Sequence, residues 1–349
     1  VKELYKSILE TVEKEHETHQ DRHHNSRVLI IDGLNTYIRC WSSIPTMNED
    51  GDHVGGVSGV LKSIGYAIRQ IQPTRVVVVF DGQGGSKRRK KMFSGYKADR
   101  STKKLRVNRQ YADMMNDEDE RESMKRQYVW LNDLLDHLPV QTMIYDGVEA
   151  DDIMAYIATD ILGEDEQAVL MSTDKDFLQL VNEKTIVWSP TKKKIYNRKR
   201  VKEEYGIDAS NILTYRVFDG DVSDNIPGIY GCGIKTMIKR FPELAEERDV
   251  EIEDIIRLSE ERKGKVKLFD KILDAKEQIY TNRDLMQLKD VDISGQIKLK
   301  VQDRFREEVK PLNKMDFLKV CLKYKVVNNF GDINSWLKDT FGNLVFDNQ

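Results

Sequence analysis

Cysteine is scarce in this chain: Cys40, Cys232 and Cys321 are the only three in 349 residues. They are odd in number and far apart, which excludes a disulfide framework and a zinc signature and points to a reducing cytoplasm. Long apolar runs are missing too. No segment approaches the roughly 20 apolar residues that a membrane-spanning helix needs. The first residues, KELYKSILETVEKEH, have no signal-like apolar stretch. There is no GxxxxGK[ST] loop, no kinase motif, no EF-hand loop and no internal repeat, so nucleoside triphosphate use and a dedicated Ca²⁺ site are not expected. What remains is a chain of 39% apolar and 33% charged residues, enough for a real core beneath a highly charged surface. This excludes a wholly disordered or low-complexity protein.

The net charge of −3 hides a local asymmetry. Residues 87–109 carry eleven Lys or Arg against the single acid Asp99, and residues 113–122 directly after them are acidic. A second basic run, from Lys192 to Lys202, carries seven positive charges. Such runs are often solvated faces, but they also let a chain of near-neutral net charge present a strongly positive surface.

Residues 1–26 are polar and read as an arm; His16, His19, His23 and His24 within it lack a zinc spacing. From residue 27 the pattern changes. VLIID (28–32), VVVVFD (76–81), TMIYD (142–146) and AVLMST (168–173) are short, β-branched apolar runs of the kind found in doubly covered parallel strands. TIVWS (185–189) reads as an edge strand. Helical periodicity fills 56–71, 122–138 and 150–162. This alternation predicts an α/β fold, a mostly parallel sheet flanked by helices, over 27–202. A basic insertion occupies about 84–122, and residues 203–349 form a mainly helical region with a Gly-rich interruption at 226–236.

The chemistry gathers where the strands end. Asp32 and Asp81 close the first two strands, Glu149, Asp151 and Asp152 follow the third, and Asp174 and Asp176 follow the fourth. Asp221 and Asp224 stand in FDGDVSDNIPG. In an open parallel sheet the C-terminal strand ends line the ligand crevice. Any one such Asp is more often a helix N-cap. The conjunction is different: two like charges 4 Å apart cost on the order of 4 kcal/mol at an effective dielectric of 20, so the set needs cations. All-oxygen donors select Mg²⁺ or Mn²⁺ over zinc. Two such ions in one crevice form an apparatus for phosphoryl transfer. With a basic insertion at the same end of the sheet, a nucleic-acid phosphodiester is the natural substrate.

Gly228, Gly231 and Gly233 in IPGIYGCGIKTMIKRF, with Lys235 and Lys239 after them, suggest a helix–hairpin–helix grip on a phosphate backbone over about 218–241. In the insertion, Arg88, Arg89, Lys97 and Arg100 are candidate phosphate clamps, and Tyr96 a candidate base-stacking residue. Lys97 and Arg100 are three apart, so one helical turn would put both on one face, beside the scissile phosphate.

LIIDGLN (29–35), VVVVFDG (76–82), GYKADR (95–100), YDGVEADD (145–152), STDKDFLQLV (172–181), WSPTKKKIY (188–196) and FDGDVSDNIPGIYGCGIKT (218–236) together resemble the 5′→3′ exonuclease and flap endonuclease superfamily, in particular the phage branch that includes the T-even ribonuclease H. The resemblance covers roughly 27–345. It implies a PIN-like core and a Mg²⁺-dependent nuclease, with Mn²⁺ an acceptable substitute, that removes RNA primers and 5′ flaps during replication. By the same resemblance Asp32, Asp81, Glu149, Asp151 and Asp174 match a first metal cluster, with Asp152 in the same motif. Asp176, Asp221 and Asp224 match a second, and Lys97 and Arg100 the catalytic cations. Asp32, Asp81 and Asp174 are the carboxylates closest to the chemistry. The hairpin matches a duplex-binding helix–three-turn–helix, a candidate K⁺ site. Expected partners are flap, nicked or 5′-overhang DNA, RNA–DNA hybrid and a phage single-strand-binding protein. The expected state is a monomer without membrane contact, in the cytoplasm of the host cell if phage-encoded. Two rivals stand against this reading. A catalytically idle relative is expected to have lost carboxylates, and a PIN-type ribonuclease to lack the hairpin and the insertion.

Overall fold

The computed structural model describes residues 26–101, 117–342 and 344. The N-terminal arm and the middle of the basic insertion, 102–116, lie outside the described residues. A six-stranded sheet forms the centre: β1 (Arg27–Asp32), β2 (Arg75–Asp81), β3 (Gln141–Tyr145), β4 (Gln167–Met171), β5 (Thr185–Ser189) and β6 (Lys194–Tyr196), in the order 3-2-1-4-5-6. The first five run parallel and β6 pairs antiparallel with β5. The strand at 185–189 is therefore not an edge. Residues 194–196 cover it, a piece too short and too rich in lysine to register as a strand in the sequence.

Alternation along β1 sets the layers. Val28 and Ile30 face one core with Val77, Val79 and Leu170; Leu29 and Ile31 face the other with Val76, Val78 and Met171. The helices α1 (Gly33–Ser43) and α2 (Gly55–Ile71) cover the second face. The apolar positions of α2 bury Val57, Val60, Leu61, Ile64, Ala67, Ile68 and Ile71. The sequence signal for α1 is weak, because GLNTYIRCWSS mixes polar residues into a short apolar stripe. After β2 come the short basic helix α3 (Lys87–Met92) and α4 (Asp117–Leu135), which adds Leu131, Leu134 and Leu135 to the second core. The helix α5 (Ala150–Tyr156) follows β3, and α6 (Arg198–Tyr205) follows β6.

The C-terminal half packs on both faces of this sheet. Met237, Phe241, Phe269, Ile279 and Phe305 join the first core, and Phe317, Cys321, Leu337 and Phe341 join the second. All three cysteines are buried free thiols. Among the described residues no helix is long and apolar enough to cross a membrane.

The order 3-2-1-4-5-6 reverses direction at β1. The chain steps outward through β2 and β3, then returns to the other side of β1 with β4. The C-terminal ends of β1 and β4 therefore flank the switch point, where a parallel sheet opens a crevice.

Candidate active site

Asp32 and Asp174 stand on either side of that switch point, and each caps the turn that follows its strand. Asp32 Oδ1 accepts from the Asn35 N–H at 3.0 Å, and Asp174 Oδ1 from the Asp176 N–H at 2.9 Å. Ser172 ties them together: its hydroxyl donates to Asp32 Oδ2 at 3.0 Å and accepts from the Asp174 N–H at 3.1 Å. Asp81 Oδ1 accepts from the Ala150 N–H at 2.8 Å, in the first turn of α5, the helix that carries Asp151 and Asp152. In Asp81 the capping and cleft-lining roles coincide.

The electrostatics divide the carboxylates into two kinds. Among the described residues Asp32, Asp151 and Asp174 have no ion pair. Burial pushes Asp32 up to about 7, with the charges of Asp81 and Asp174 adding to it. Burial raises Asp151 well above the ordinary carboxylate range, with Asp32, Asp174 and Asp81 behind it. Asp174 is raised by burial and then by Asp224 and Asp221, which links the two expected clusters across one crevice.

The other carboxylates are held by cations of the chain itself. Arg89, in α3, is 3% exposed. Its guanidinium donates to Glu149 Oε2 at 2.5 Å, to Asp152 at 2.8 and 2.7 Å, and through Nε to the Leu285 carbonyl at 2.9 Å. Lys97 Nζ donates to Glu149 Oε1 at 2.5 Å and lies 3.8 Å from Asp224 Oδ2. Burial alone would raise Glu149, but Lys97 and Arg89 outweigh it and hold the carboxyl below its ordinary value. Arg216 bridges Asp176 and Asp221. Among the described residues no three His, Cys, Asp or Glu side chains stand together as a ready coordination cage.

Several expected phosphate contacts are placed differently. Arg89 is turned inward onto Glu149 and Asp152, because its position on α3 faces the core. Asp152 is 3% exposed and fully taken by that guanidinium, which sets it apart from Asp32, Asp151 and Asp174. Tyr96 is also 3% exposed, packs with Ile226, Leu285 and Met286, and donates its hydroxyl to Glu149 Oε2 at 3.2 Å, so its ring is not a free stacking surface. Arg88 pairs with Asp292 at 3.4 Å. Arg100 belongs to the 3-10 turn Ala98–Ser101, and its side chain lies outside the described residues. In the second basic run Lys192 pairs with Glu204, Arg198 with Asp208 and Lys202 with Glu247, so much of its charge is met internally.

The Gly-rich segment connects α7 (Ile212–Asp219) to α8 (Ile234–Arg240). Its glycines do different things. A Cβ on Gly228 would stand 1.9 Å from the Asp219 carbonyl, so this glycine closes the loop on itself. Gly231 has φ +100°, and Gly233 caps α8 with open space beside it. Lys235 and Lys239 are exposed on α8. Sequence reasoning missed Arg216 and Ser172; the signal for Arg216 was a lone Arg within TYRVFD, five residues before Asp221.

An open cleft of about 370 Å³ lies beside these groups, lined by Asp81, Gly82, Gly85, Ser86, Lys90, Lys97 and Glu149. The 5′-3′ exonuclease N-terminal resolvase-like domain matches residues 27–206. The 5′-3′ exonuclease of Aquifex aeolicus is 29% identical over 210 residues, 60% of this chain and 66% of that protein. Flap endonuclease Xni of Shewanella oneidensis is 30% identical over 223 residues, 63% of this chain and 77% of that one. DNA polymerase I of Bacillus subtilis is 28% identical over 294 residues, and the chain spans only 30% of its length. Among solved structures, a bacteriophage T5 flap endonuclease complexed with DNA and metal ions has a TM-score of 0.59 at 22% identity, covering 85% of this chain and 99% of that one. That likeness establishes the fold, a mostly parallel sheet flanked by helices. The chain belongs to the 5′-3′ exonuclease family.

Proposed function

We propose that this chain is a divalent-metal-dependent, structure-selective 5′ nuclease acting as a monomer on flap, nicked or 5′-overhang DNA and on RNA–DNA hybrids. The observation that carries the proposal is the set Asp32, Asp151 and Asp174: buried or half-buried, mutually repelling and without an ion pair among the described residues. Such a set is stable as charge only around a cation, and its all-oxygen chemistry suits Mg²⁺, with Mn²⁺ as the alternative. Asp81 joins these three, while Asp176, Asp221 and Asp224 offer donors for a second ion. When bound, two such ions would supply an ionised water and charge neutralisation at the leaving oxygen.

The chain's own residues supply the rest. Burial alone would push the Lys97 ammonium down, but Tyr96, Glu149, Asp151 and Asp224 outweigh it and keep it charged. It sits between the two carboxylate sets, where it can donate to a phosphate oxygen as negative charge develops. Arg100, three residues on, is assigned the same task. Lys235 and Lys239 would grip the duplex away from the reacting phosphate, with Gly231 and Gly233 letting the backbone approach, and a K⁺ ion belongs to the same hairpin in this proposal. RNA primer removal, a phage single-strand-binding partner and a host-cytoplasmic setting complete the reading, on the family resemblance.

A 5′-labelled flap substrate, incubated with and without Mg²⁺, tests it. Mg²⁺-dependent release of the flap is expected, and Asp32→Asn or Asp174→Asn should cut the rate below about a tenth, a barrier change above roughly 1.4 kcal/mol. Duplex affinity should stay largely intact. Cleavage in the presence of excess chelator would refute the proposal.

A further inference from the structure

One cation of the chain sits directly on two members of the second carboxylate set. Arg216 projects from the last turn of α7 and is 8% exposed. Its Nε and Nη2 donate to Asp176 Oδ1 at 3.0 and 2.8 Å, its Nη2 also donates to Asp221 Oδ2, and its Nη1 donates to the Gly220 carbonyl at 3.3 Å. Asp221 Oδ1 is meanwhile taken by the Ser223 N–H and hydroxyl, both at 2.6 Å, and by the Asp224 N–H at 3.1 Å. Both oxygens of Asp221 and one of Asp176 are therefore committed inside the protein. The third member, Asp224, lies 3.8 Å from the Lys97 ammonium. In the first set Glu149 is likewise paired, with Arg89 and Lys97, whereas Asp32, Asp151 and Asp174 have no cation within ion-pair distance among the described residues.

We infer that Arg216 is a built-in counter-cation that holds the second carboxylate set in place before metal arrives and sets its affinity for the divalent ion low. This is a positioning role and rests on the two-ion reading above. An ion approaching Asp176 and Asp221 has to share their oxygens with the guanidinium or displace it, and it meets a set already partly neutralised. In the first set Asp32 and Asp174 accept from N–H groups and the Ser172 hydroxyl, with no guanidinium or ammonium of the described residues for an ion to displace. The protein therefore takes up one ion tightly and the second weakly. The second site fills mainly when another ligand lowers its cost, and a substrate phosphate lying against both sites is the group placed to do so.

The test is Mn²⁺ binding to the full chain without DNA, followed by electron paramagnetic resonance of free Mn²⁺ and by calorimetry. Wild type should show a tight and a weak class. Arg216→Met should tighten the weak class at least about tenfold, the direction set by removing one positive charge beside a dication. Arg216→Lys should stay close to wild type, and Asp32→Asn should remove the tight class. A folded Arg216→Met with an unchanged weak class overturns the inference. Wild type that binds no Mn²⁺ overturns the nuclease reading instead, so the two failures are distinct. Should Arg216→Met not fold, ¹⁵N-arginine-labelled wild type carries the test. The Nε–H signal that Arg216→Lys removes must shift in the weak phase of a Mg²⁺ titration, and its staying fixed overturns the inference equally.

Discussion

The Lys97 ammonium lies 2.5 Å from Glu149 Oε1, and this contact joins the base of the basic insertion to the N-terminus of the helix that carries Asp151. The backbone enforces it. Lys97 has φ +52°, in the left-handed region, where a residue other than glycine pays a local cost of about 1 kcal/mol. Its N–H donates to the Asp224 carbonyl at 2.8 Å, which fixes that conformation against the second carboxylate set. One residue is thus tied by its side chain to one set and by its backbone to the other.

Lys97→Ala should therefore slow the chemical step rather than only weaken binding. Single-turnover cleavage at saturating enzyme should fall on the order of 100-fold at every salt concentration. Arg100→Ala is expected to behave likewise. A residue serving only as a phosphate contact would show a loss rescued by low salt, since each removes about one released counterion. Full rescue of Lys97→Ala at salt concentrations below about 50 mM would reduce it to that status.

The basic helix Lys87–Met92 should split by position. Arg89 is buried against Glu149 and Asp152, and removing one partner of such a pair costs about 3–5 kcal/mol because the other charges stay behind unpaired. Arg89→Ala should thus lower the melting temperature by several degrees and be insensitive to salt. Lys90 and Lys91 are exposed, and their alanine variants should melt like wild type while losing affinity for DNA in a salt-dependent way. An Arg89→Ala variant with wild-type melting would contradict the buried network.

The strands and their terminal carboxylates were legible in the sequence because β-branched runs and acidic ends are local signals. VVVVFD announces both a doubly covered strand and a residue at its mouth. The direction of a side chain on a short helix is not local. KRRKK reads as five equivalent cations, and only the docking of that helix against Leu285 and the Glu149–Asp152 turn sends Arg89 inward while Lys90 stays in solvent. Tyr96 was misjudged for the same reason: an aromatic among cations suggests stacking until Ile226, Leu285 and Met286 close over it. Arg216 left only a faint local signal as a site residue, because its partners lie both 40 residues before it and five after it.

Gly231→Val should separate duplex binding from catalysis. Gly231 has φ +100°, a conformation that a β-branched residue cannot adopt without strain, so the loop before α8 would be displaced. Affinity for the duplex arm of a flap should fall, measured by fluorescence anisotropy in Ca²⁺ to prevent cleavage. The single-turnover rate at saturating enzyme should change far less, since the strand-end carboxylates are untouched. Unchanged duplex affinity with collapsed cleavage would place the hairpin in the reacting centre.

The raised Asp32 carboxyl makes a prediction for the metal-free protein whose sign is fixed by linkage. Its value of about 7 in the fold against 3.8 ordinarily means that the folded state binds this proton more tightly than the unfolded state. Between those two values the unfolded chain has already lost the proton, so stability falls as pH rises from about 4 to 7 and is fully present only below that window. The ceiling for the shift is about 4 kcal/mol, and relaxation of the cleft should leave on the order of 1–3 kcal/mol. An asparagine side chain at this position keeps an acceptor for the Asn35 N–H but carries no charge. In chelator, Asp32→Asn should therefore melt close to wild type at or below about pH 4 and clearly above it at pH 8. Mg²⁺ should then reverse the order at pH 8, because an ion bound only by the folded state stabilises wild type in proportion to its occupancy, and the Asp32→Asn substitution weakens that binding. Parallel melting curves for the two proteins across pH 5–8 in chelator would show that Asp32 carries no buried, uncompensated charge.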